Sequence, residues 1–243
     1  GGFSSAVDTG ALKSRADFLV LLNTDVTPKI DFLSLIFEDF SQNQNLFGVG
    51  ILDKSIEDGK TILRGRGEAS WKRGFLVHKR GEIDKKDTFW ISGGSSVVRA
   101  EMFKKLSGFD TIYDPFYWED IDLSFRARKA GFEVLFEKRS EVWHRHSEGA
   151  IKKHFSSSKI KRIAYRNQFI FVWKNITDRS LLVSHFLFLP YHILMSLLRF
   201  DLAFLFGFLL AAAKLPVIIK KRTNQKRFYT KSDNEIINNN SSI

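Results

Sequence analysis

The chain has no cysteine in its 243 residues, which excludes disulfides and thiolate metal sites and leaves a reducing compartment compatible with it. No signal peptide opens it and no internal repeat runs through it. Nor does it begin with methionine; it starts Gly1-Gly2-Phe3, as a fragment or a processed chain does. Acidic residues are in the minority, 27 against 38 Lys plus Arg, for a formal net charge of +11. Such an excess seeks nucleic acid, anionic lipid or phosphorylated small molecules. The chain carries no nucleic-acid motif, and its positive charge gathers beside apolar stretches rather than along a polar face, which sets nucleic acid aside as a partner. An apolar fraction of 44% and a charged fraction of 27% are ordinary, and the length suffices for one core with an appendage.

The pattern along the chain predicts an α/β layered fold. A helix over about residues 5–15 leads into Asp17-Phe18-Leu19-Val20-Leu21-Leu22, a short apolar run that suits a strand covered on both faces. After the polar turn Asn23-Thr24-Asp25, Thr27 and Pro28 read as an N-cap and a first helical residue, followed by Ile30, Leu33, Phe37 and Phe40 at helical spacing. Residues 48–86 read as strands and loops, and residues 89–98 as a strand-like run. Within that run the paired glycines Gly93 and Gly94 let a backbone or a ligand come close. A short helix over 100–106 stops at Gly108, a second starts near Trp118 and ends at Gly131, and a strand returns at 132–136.

Three polar clusters follow predicted strands or open a helix, where a doubly wound sheet places its ligands: Asn23-Thr24-Asp25, Glu119-Asp120-Ile121-Asp122 and His144-Arg145-His146. Carboxylate plus imidazole suits a divalent ion that bridges two phosphates. Alone, Asp25 reads as a turn residue and the 119–122 acids as first-turn acids favoured by the helix dipole. Asp120, however, lies three, seven and ten residues before Leu123, Ala127 and Ala130, so it heads the buried stripe of its helix. A carboxylate at the edge of a core loses hydration, and its pKa rises toward useful basicity.

The order Gly2-Phe3, Gly10, then Asp17 through Asp25 resembles the family 2 glycosyltransferases, in particular their rhamnosyltransferase-like branch. So do Ile91-Ser92-Gly93-Gly94, Gly108-Phe109-Asp110, Tyr117 through Arg126 and Ala130-Gly131-Phe132, which fall in that family's order. The resemblance covers about residues 2–173 and implies a GT-A-like, Rossmann-like mixed sheet flanked by helices, lacking the N-terminal nucleoside-binding strand. It implies Asp120 as catalytic base beside Glu119, and Asp25 and His144 as ligands of a Mg²⁺ or Mn²⁺ ion, with Asn23 standing where the family has a first metal-motif acid. It implies contacts to the nucleotide-sugar donor or the glycan or lipid-linked acceptor from Asn23, Gly93, Gly94, Trp118 and His146. The activity implied is inverting sugar transfer from a nucleotide diphosphate sugar to a hydroxyl, in cell-surface polysaccharide or glycolipid synthesis. The Gln-x-x-Arg-Trp motif of processive members is absent, since Gln168 is followed by Phe169-Ile170-Phe171-Val172, so one transfer per encounter is expected. A non-catalytic, membrane-associated remnant of such an enzyme is the alternative reading.

Beyond the catalytic segment, expected over 1–150, lies a basic stretch (Lys152, Lys153, His154, Lys159, Lys161, Arg162) and two apolar runs, Leu181 to Leu198 and Leu202 to Ile219, closed by Lys220-Lys221-Arg222. Each run approaches the ~20 residues a bilayer crossing needs, although Pro190, His185, His192 and Lys214 interrupt them. Residues 151–222 are therefore expected to form a helical extension on the cytoplasmic face of a membrane, either crossing it or lying in its plane, with a soluble dimer interface as the alternative. Residues 223–243 are expected to be a disordered tail.

Overall fold

A computed structural model describes residues 2–57, 59–145 and 154–238. Eight strands occur among them: β1 Phe18–Leu22, β2 Val26–Pro28, β3 Leu46–Glu57, β4 Lys60–Arg64, β5 Gly67–Lys72, β6 Phe75–Arg80, β7 Ser95–Arg99 and β8 Glu133–Arg145. The helices are α1 Phe3–Lys13, α2 Phe32–Gln42, α3 Ala100–Lys105, α4 Glu119–Lys129, α5 Ser157–Asn175, α6 Arg179–Leu198, α7 Leu202–Ala212, α8 Leu215–Lys226 and α9 Asp233–Asn238.

A mixed sheet runs in the order β1-β7-β3-β8-β2, with β4 hanging from the far end of β3, while β5 and β6 form a separate hairpin. β7 is antiparallel to both β1 and β3, and β3 is parallel to β8, so β1, β3 and β8 all end at one edge. Alternation along the strands fills two layers. Leu19, Leu21, Phe47, Val98 and Val134 meet α3 and the Leu123–Ala127 stripe of α4 on one face. Ile36 and Phe40 of α2 meet Leu46, Val49, Ile51, Val97 and Val142 on the other. That α/β sandwich, with a sheet between helices, is the expected fold class.

The expected helix start at Thr27-Pro28 is replaced by strand β2, which pairs Val26, Thr27 and Pro28 with His144, Trp143 and Val142. Proline is tolerated there because β2 is an edge strand, where its missing N–H costs no ladder bond. α2 opens at Phe32 instead, which leaves Ile30 outside the helix and 96% exposed. β1 is the strand at the opposite edge, and Val20 is 41% exposed, so its cover is one-sided at that residue.

The segment after 151 is not one appendage. α5 buries Phe169, Ile170, Phe171 and Val172 against Phe89, Ile121 and Phe125, which makes it part of the body that carries α4. Residues 223–238, expected to be disordered, finish α8 and form α9. Asp233 of α9 is buried, and its carboxylate accepts from Lys129 Nζ at 2.6 Å and from the backbone N–H groups of Thr177 and Asp178. A polar composition hid that anchoring acid.

Under α4 lies a buried ionic network. Asp122 accepts from Arg126 Nε at 2.7 Å, Tyr113 Oη at 2.8 Å and Asn175 Nδ2 at 2.7 Å, and pairs with Lys174 at 2.7 Å. Lys174 also pairs with Asp110 at 2.6 Å, and Lys221 reaches Asp110 at 2.9 Å. Burial pushes the Asp110 and Asp122 carboxyls up, but Lys174 with Lys221 at the first and with Arg126 at the second outweighs it, so both are held below the ordinary carboxylate range. The stability these acids contribute is present above their ordinary value of 3.8 and is lost as pH falls below it. Lys174→Met leaves Asp110 and Asp122 buried with a partner missing. Urea denaturation at neutral pH should show a loss of about 3–5 kcal/mol, and a loss under ~1 kcal/mol would mean the network is not a structural linchpin.

Candidate active site

The polar clusters meet at the carboxyl edge of the sheet. β1 ends at Leu22, paired with Ser95, so Asn23 lies beside the Gly93-Gly94 turn, and its N–H donates to the Gly94 carbonyl at 3.0 Å. A Cβ on Gly94 would sit 2.4 Å from Asn23 Nδ2, and one on Gly93 would sit 2.9 Å from the Phe3 ring. The glycines therefore clear room for the chain's own side chains, which is a narrower role than ligand approach. Asp25 follows, just ahead of β2, and β2 carries it to His144: Asp25 Oδ1 lies 3.1 Å from His144 Nε2.

The other ring nitrogen, His144 Nδ1, meets Asp53 Oδ2 at 2.9 Å, and Ser55 Oγ donates to Asp53 Oδ1 at 2.8 Å. Asp53 and Ser55 lie inside β3, where no local pattern marks an acid as functional, and the sequence reading did not select them. The hydrogen bond to Asp53 raises the His144 pKa above the ordinary histidine value, against the opposing pull of burial. A neutral imidazole has one N–H. With Nδ1–H donated to Asp53, the Nε2 lone pair faces the Asp25 carboxylate, and only a proton or a cation between them makes that contact favourable.

Glu119 and Asp120 open α4 after an unusual turn. Tyr117 and Trp118 both hold left-handed backbone, at φ +70° and +79°. Neither is glycine, and strain of this kind costs about 1–3 kcal/mol per residue. Asn167 of α5, wholly buried, holds the turn: its Nδ2 lies 2.8 Å from the Tyr113 carbonyl and 2.9 Å from those of Phe116 and Tyr117. Arg166 adds a bond from Nη2 to the Tyr113 carbonyl at 3.1 Å. The turn drives the Trp118 ring inward, 5.1 Å from Phe171 and 5.0 Å from His78, and leaves it 5% exposed. Trp118 is thus a core ring, while Tyr117 beside it is 41% exposed.

Partial burial and proximity set the two acids apart. Burial, aided by the charge of Asp120, pushes Glu119 up from 4.5 to about 8, and Glu119 Oε2 is buried without a hydrogen-bond partner among the described residues. Burial pushes Asp120 up from 3.8 to about 6, held back by backbone N–H groups that include Gly93. Between these values Asp120 is ionised and Glu119 still carries its proton, the division of labour that an acid pair needs to act as a base at neutral pH. The Gly93 N–H meets Asp120, Gly94 meets Asn23, and Asp25 meets His144, so all three clusters touch the same edge of the sheet. Among the described residues no group of three His, Cys, Asp or Glu side chains converges on one point; Asp25 and His144 meet as a pair. His146 lies outside the described residues.

A mixed sheet between helices, with a carboxylate–imidazole pair and a paired-acid helix start at its carboxyl edge, has the GT-A fold. The solved structure of GalNAc-T7 with UDP, GalNAc and Mn²⁺ matches it at a TM-score of 0.55 and 17% identity, over 71% of this chain and 34% of that one. Over 73 residues the chain is 37% identical to the N-acetylglucosaminyl-diphospho-decaprenol L-rhamnosyltransferases of two Mycobacterium tuberculosis strains, CDC 1551 / Oshkosh and ATCC 25618 / H37Rv. The match takes in 29% of this chain and spans 24%, about a quarter, of those curated relatives. No protein-family profile matches the chain.

Asn167→Ala removes the donor from buried carbonyls, and urea denaturation should register a loss of about 1–3 kcal/mol. As the turn relaxes and water enters, Glu119 should titrate below about 8 in ¹³C-carboxyl NMR. Because its folded pKa is raised, Glu119 contributes stability fully below 4.5 and loses it as pH climbs toward about 8, and the variant should lose less over that window. An unchanged Glu119 titration would detach Asn167 from the acid pair.

Proposed function

We propose that the protein moves a sugar from a nucleotide diphosphate sugar to an acceptor hydroxyl, with inversion and one transfer per encounter. The observations that support this reading are the split acid pair, with Asp120 at the Gly93 N–H, and the Asp25–His144 contact that follows Asn23 beside Gly94. Asp120 takes the proton of the acceptor hydroxyl as that oxygen attacks the anomeric carbon. Attack and departure lie on opposite faces of the sugar, so a single base suffices and configuration inverts. Glu119, protonated, adds no second negative charge beside the incoming oxygen, and the Gly93 N–H keeps the Asp120 carboxylate oriented.

Asp25 and His144 fit a Mg²⁺ or Mn²⁺ ion shared with a diphosphate. Such an ion asks for one or two protein donors and takes the rest from phosphate and water, and Asp53 fixes the His144 tautomer that offers Nε2. When bound, the ion neutralises charge on the departing diphosphate. The nucleotide-sugar donor and a glycan or lipid-linked acceptor are the substrates this reading expects, and the rhamnosyltransferases it resembles are named for a lipid-linked diphospho-sugar. Synthesis of cell-surface polysaccharide or glycolipid follows as the setting.

The extension supports a membrane as the working surface, on the cytoplasmic face in this reading. α6 is long and apolar enough to cross a bilayer, α7 and α8 form a bent pair at 65°, and only 17% of the α6 window is buried. Val183, Phe186, Leu187, Leu194, Leu197, Leu209 and Ile219 all lie exposed, too much apolar surface for water. Along its other side α6 carries the β5–β6 hairpin: Arg73 donates to Tyr191 Oη at 3.0 Å, and His185 Nδ1 meets the Gly74 carbonyl at 2.7 Å. A crossing α6 would bring the Arg73 guanidinium to mid-bilayer, at a cost of at least about 2.5–3.5 kcal/mol. In-plane lying avoids that cost and lets cations such as Lys220 face anionic headgroups.

Two experiments test the reading. Asp120→Asn cannot accept a proton, so sugar transfer should fall about 10²–10⁴-fold while Mn²⁺ binding followed by electron paramagnetic resonance stays intact. In the wild type turnover should rise as pH climbs through about 6. Retention of more than about a tenth of turnover in the variant would remove Asp120 as base. For the extension, the chain should float with liposomes, more strongly with phosphatidylserine, and high salt should weaken only part of the association. Phe186→Asp with Leu187→Asp should abolish flotation. A monodisperse, detergent-free dimer that ignores liposomes would replace membrane with subunit interface.

A further inference from the structure

A group of cations beside the acid pair has no role in the chemistry above. Arg162 and Arg166 stand one turn apart on α5, so they share a face of the helix. Arg166 hydrogen bonds the Tyr113 and Asp114 carbonyls, which places it at the chain segment that leads into Glu119. Arg162 Nε is buried without a hydrogen-bond partner among the described residues, and its guanidinium lies 5.9 Å from the centre of the Phe206 ring on α7. Next to Phe206, Gly207 packs so closely on α5 that a Cβ would fall 2.6 Å from that of Tyr165 and 2.9 Å from the Arg166 nitrogen. Lys214, in the break between α7 and α8, is half-buried and lies within electrostatic reach of Arg166, Lys221, Asp110 and Asp114. Its ammonium makes no hydrogen bond or ion pair with any described residue.

Like charges gathered in a partly dry place repel one another, and a protein holds them there at a cost unless an anion joins them. The local acids do not discharge the group. Asp110 is already paired with Lys174 and Lys221, and Asp114 is one charge against three. Immediately beyond the cations lies the exposed apolar side of α7, with Leu202, Phe206, Leu209 and Leu210 open to solvent. Three kinds of surface therefore follow one another outward from Glu119: the acid pair, the cations, then an apolar face.

We propose that Arg162, Arg166 and Lys214 bind the diphosphate of a lipid-linked acceptor, with the exposed side of α7 beneath its hydrocarbon chain and its sugar hydroxyl at Asp120. The order sugar, diphosphate, lipid reproduces the order acid pair, cations, apolar face. Guanidinium groups suit this ligand because they offer paired donors to phosphate oxygens. The inference rests on the transferase reading, since it takes that site as the destination of the acceptor sugar. It adds a headgroup that the Asp25–His144 pair does not serve.

The test needs no sugar transfer, so its failure is separable from failure of the transferase reading. The full chain is mixed with phosphatidylcholine vesicles doped either with geranylgeranyl diphosphate or with phosphatidylserine at matched surface charge, and bound protein is measured by co-sedimentation. Vesicles with geranylgeraniol report the apolar contribution alone. Arg162→Gln with Lys214→Gln should weaken binding to the prenyl diphosphate by about tenfold and alter binding to phosphatidylserine little. Lys214→Gln alone, which removes no described contact and should not disturb folding, should give a smaller loss of the same selectivity, and Lys214→Arg should restore it. Equal losses on both anionic vesicles would reduce the group to general membrane electrostatics and overturn the proposal. So would a double variant that binds the prenyl diphosphate as wild type does, or competition by inorganic pyrophosphate with no preference for the lipid.

Discussion

Asp122 and Lys174, each wholly buried and 2.7 Å apart, are the contact on which the rest of the structure depends. A charge in a dry interior is tolerable only with its partner, so Asp122 cannot leave Lys174, Arg126, Tyr113 and Asn175 without a penalty larger than the pair's own net worth. Those partners come from α4, the 3₁₀ turn before it and α5, and Lys221 brings in α8 through Asp110. The rotation of α4 about its own axis is thereby set. With Asp122 pointing into the network, Asp120 two residues earlier points to the opposite side of the helix, where the Gly93 N–H meets it.

The candidate site holds interactions that a stability-minded design would remove. Two successive left-handed residues, an unpartnered Glu119 oxygen and three crowded cations are each unfavourable taken singly. They persist because α5 over-determines the region. Asn167 and Arg166 hold the carbonyls of the strained turn, and Phe169 to Val172 seal the core behind it. The same helix therefore keeps the acids dry enough to separate their pKa values and presents cations to whatever anion arrives beside them. Its placement also explains why the apolar tail is not a detachable anchor. α7 packs directly on α5 at Gly207, and the hairpin that rides on α6 reaches Trp118 through His78.

Much of the frame was legible in the sequence. The apolar run of β1, the stripe Leu123–Ala127 of α4 and the left-handed stops Gly108 and Gly131 report local rules, and local rules survive in the fold. Asp25, Asp120 and His144 were singled out by residue type and order along the chain; the structure pairs Asp25 with His144 and sets Asp120 at the Gly93 N–H. Errors arose where a local signal had two solutions. Thr27-Pro28 satisfies a helix start and an edge strand equally, and pairing with β8 decided for the strand. Trp118 stood beside the acids in sequence, but a reversed backbone turned its ring away from them.

Composition and order alone determined the class of fold, the sites of negative charge and the presence of uncovered apolar helices, because periodicity and charge are properties of the chain. Only the tertiary structure decided which acid is ionised, since the separation of Glu119 from Asp120 depends on how much water each keeps. It likewise decided that Asp53, 91 residues from His144, orients the imidazole, and that Asn167, 50 residues from Tyr117, holds the turn. Such partners leave no trace in sequence spacing, because a hydrogen bond requires only that two groups meet, and the fold alone arranges the meeting.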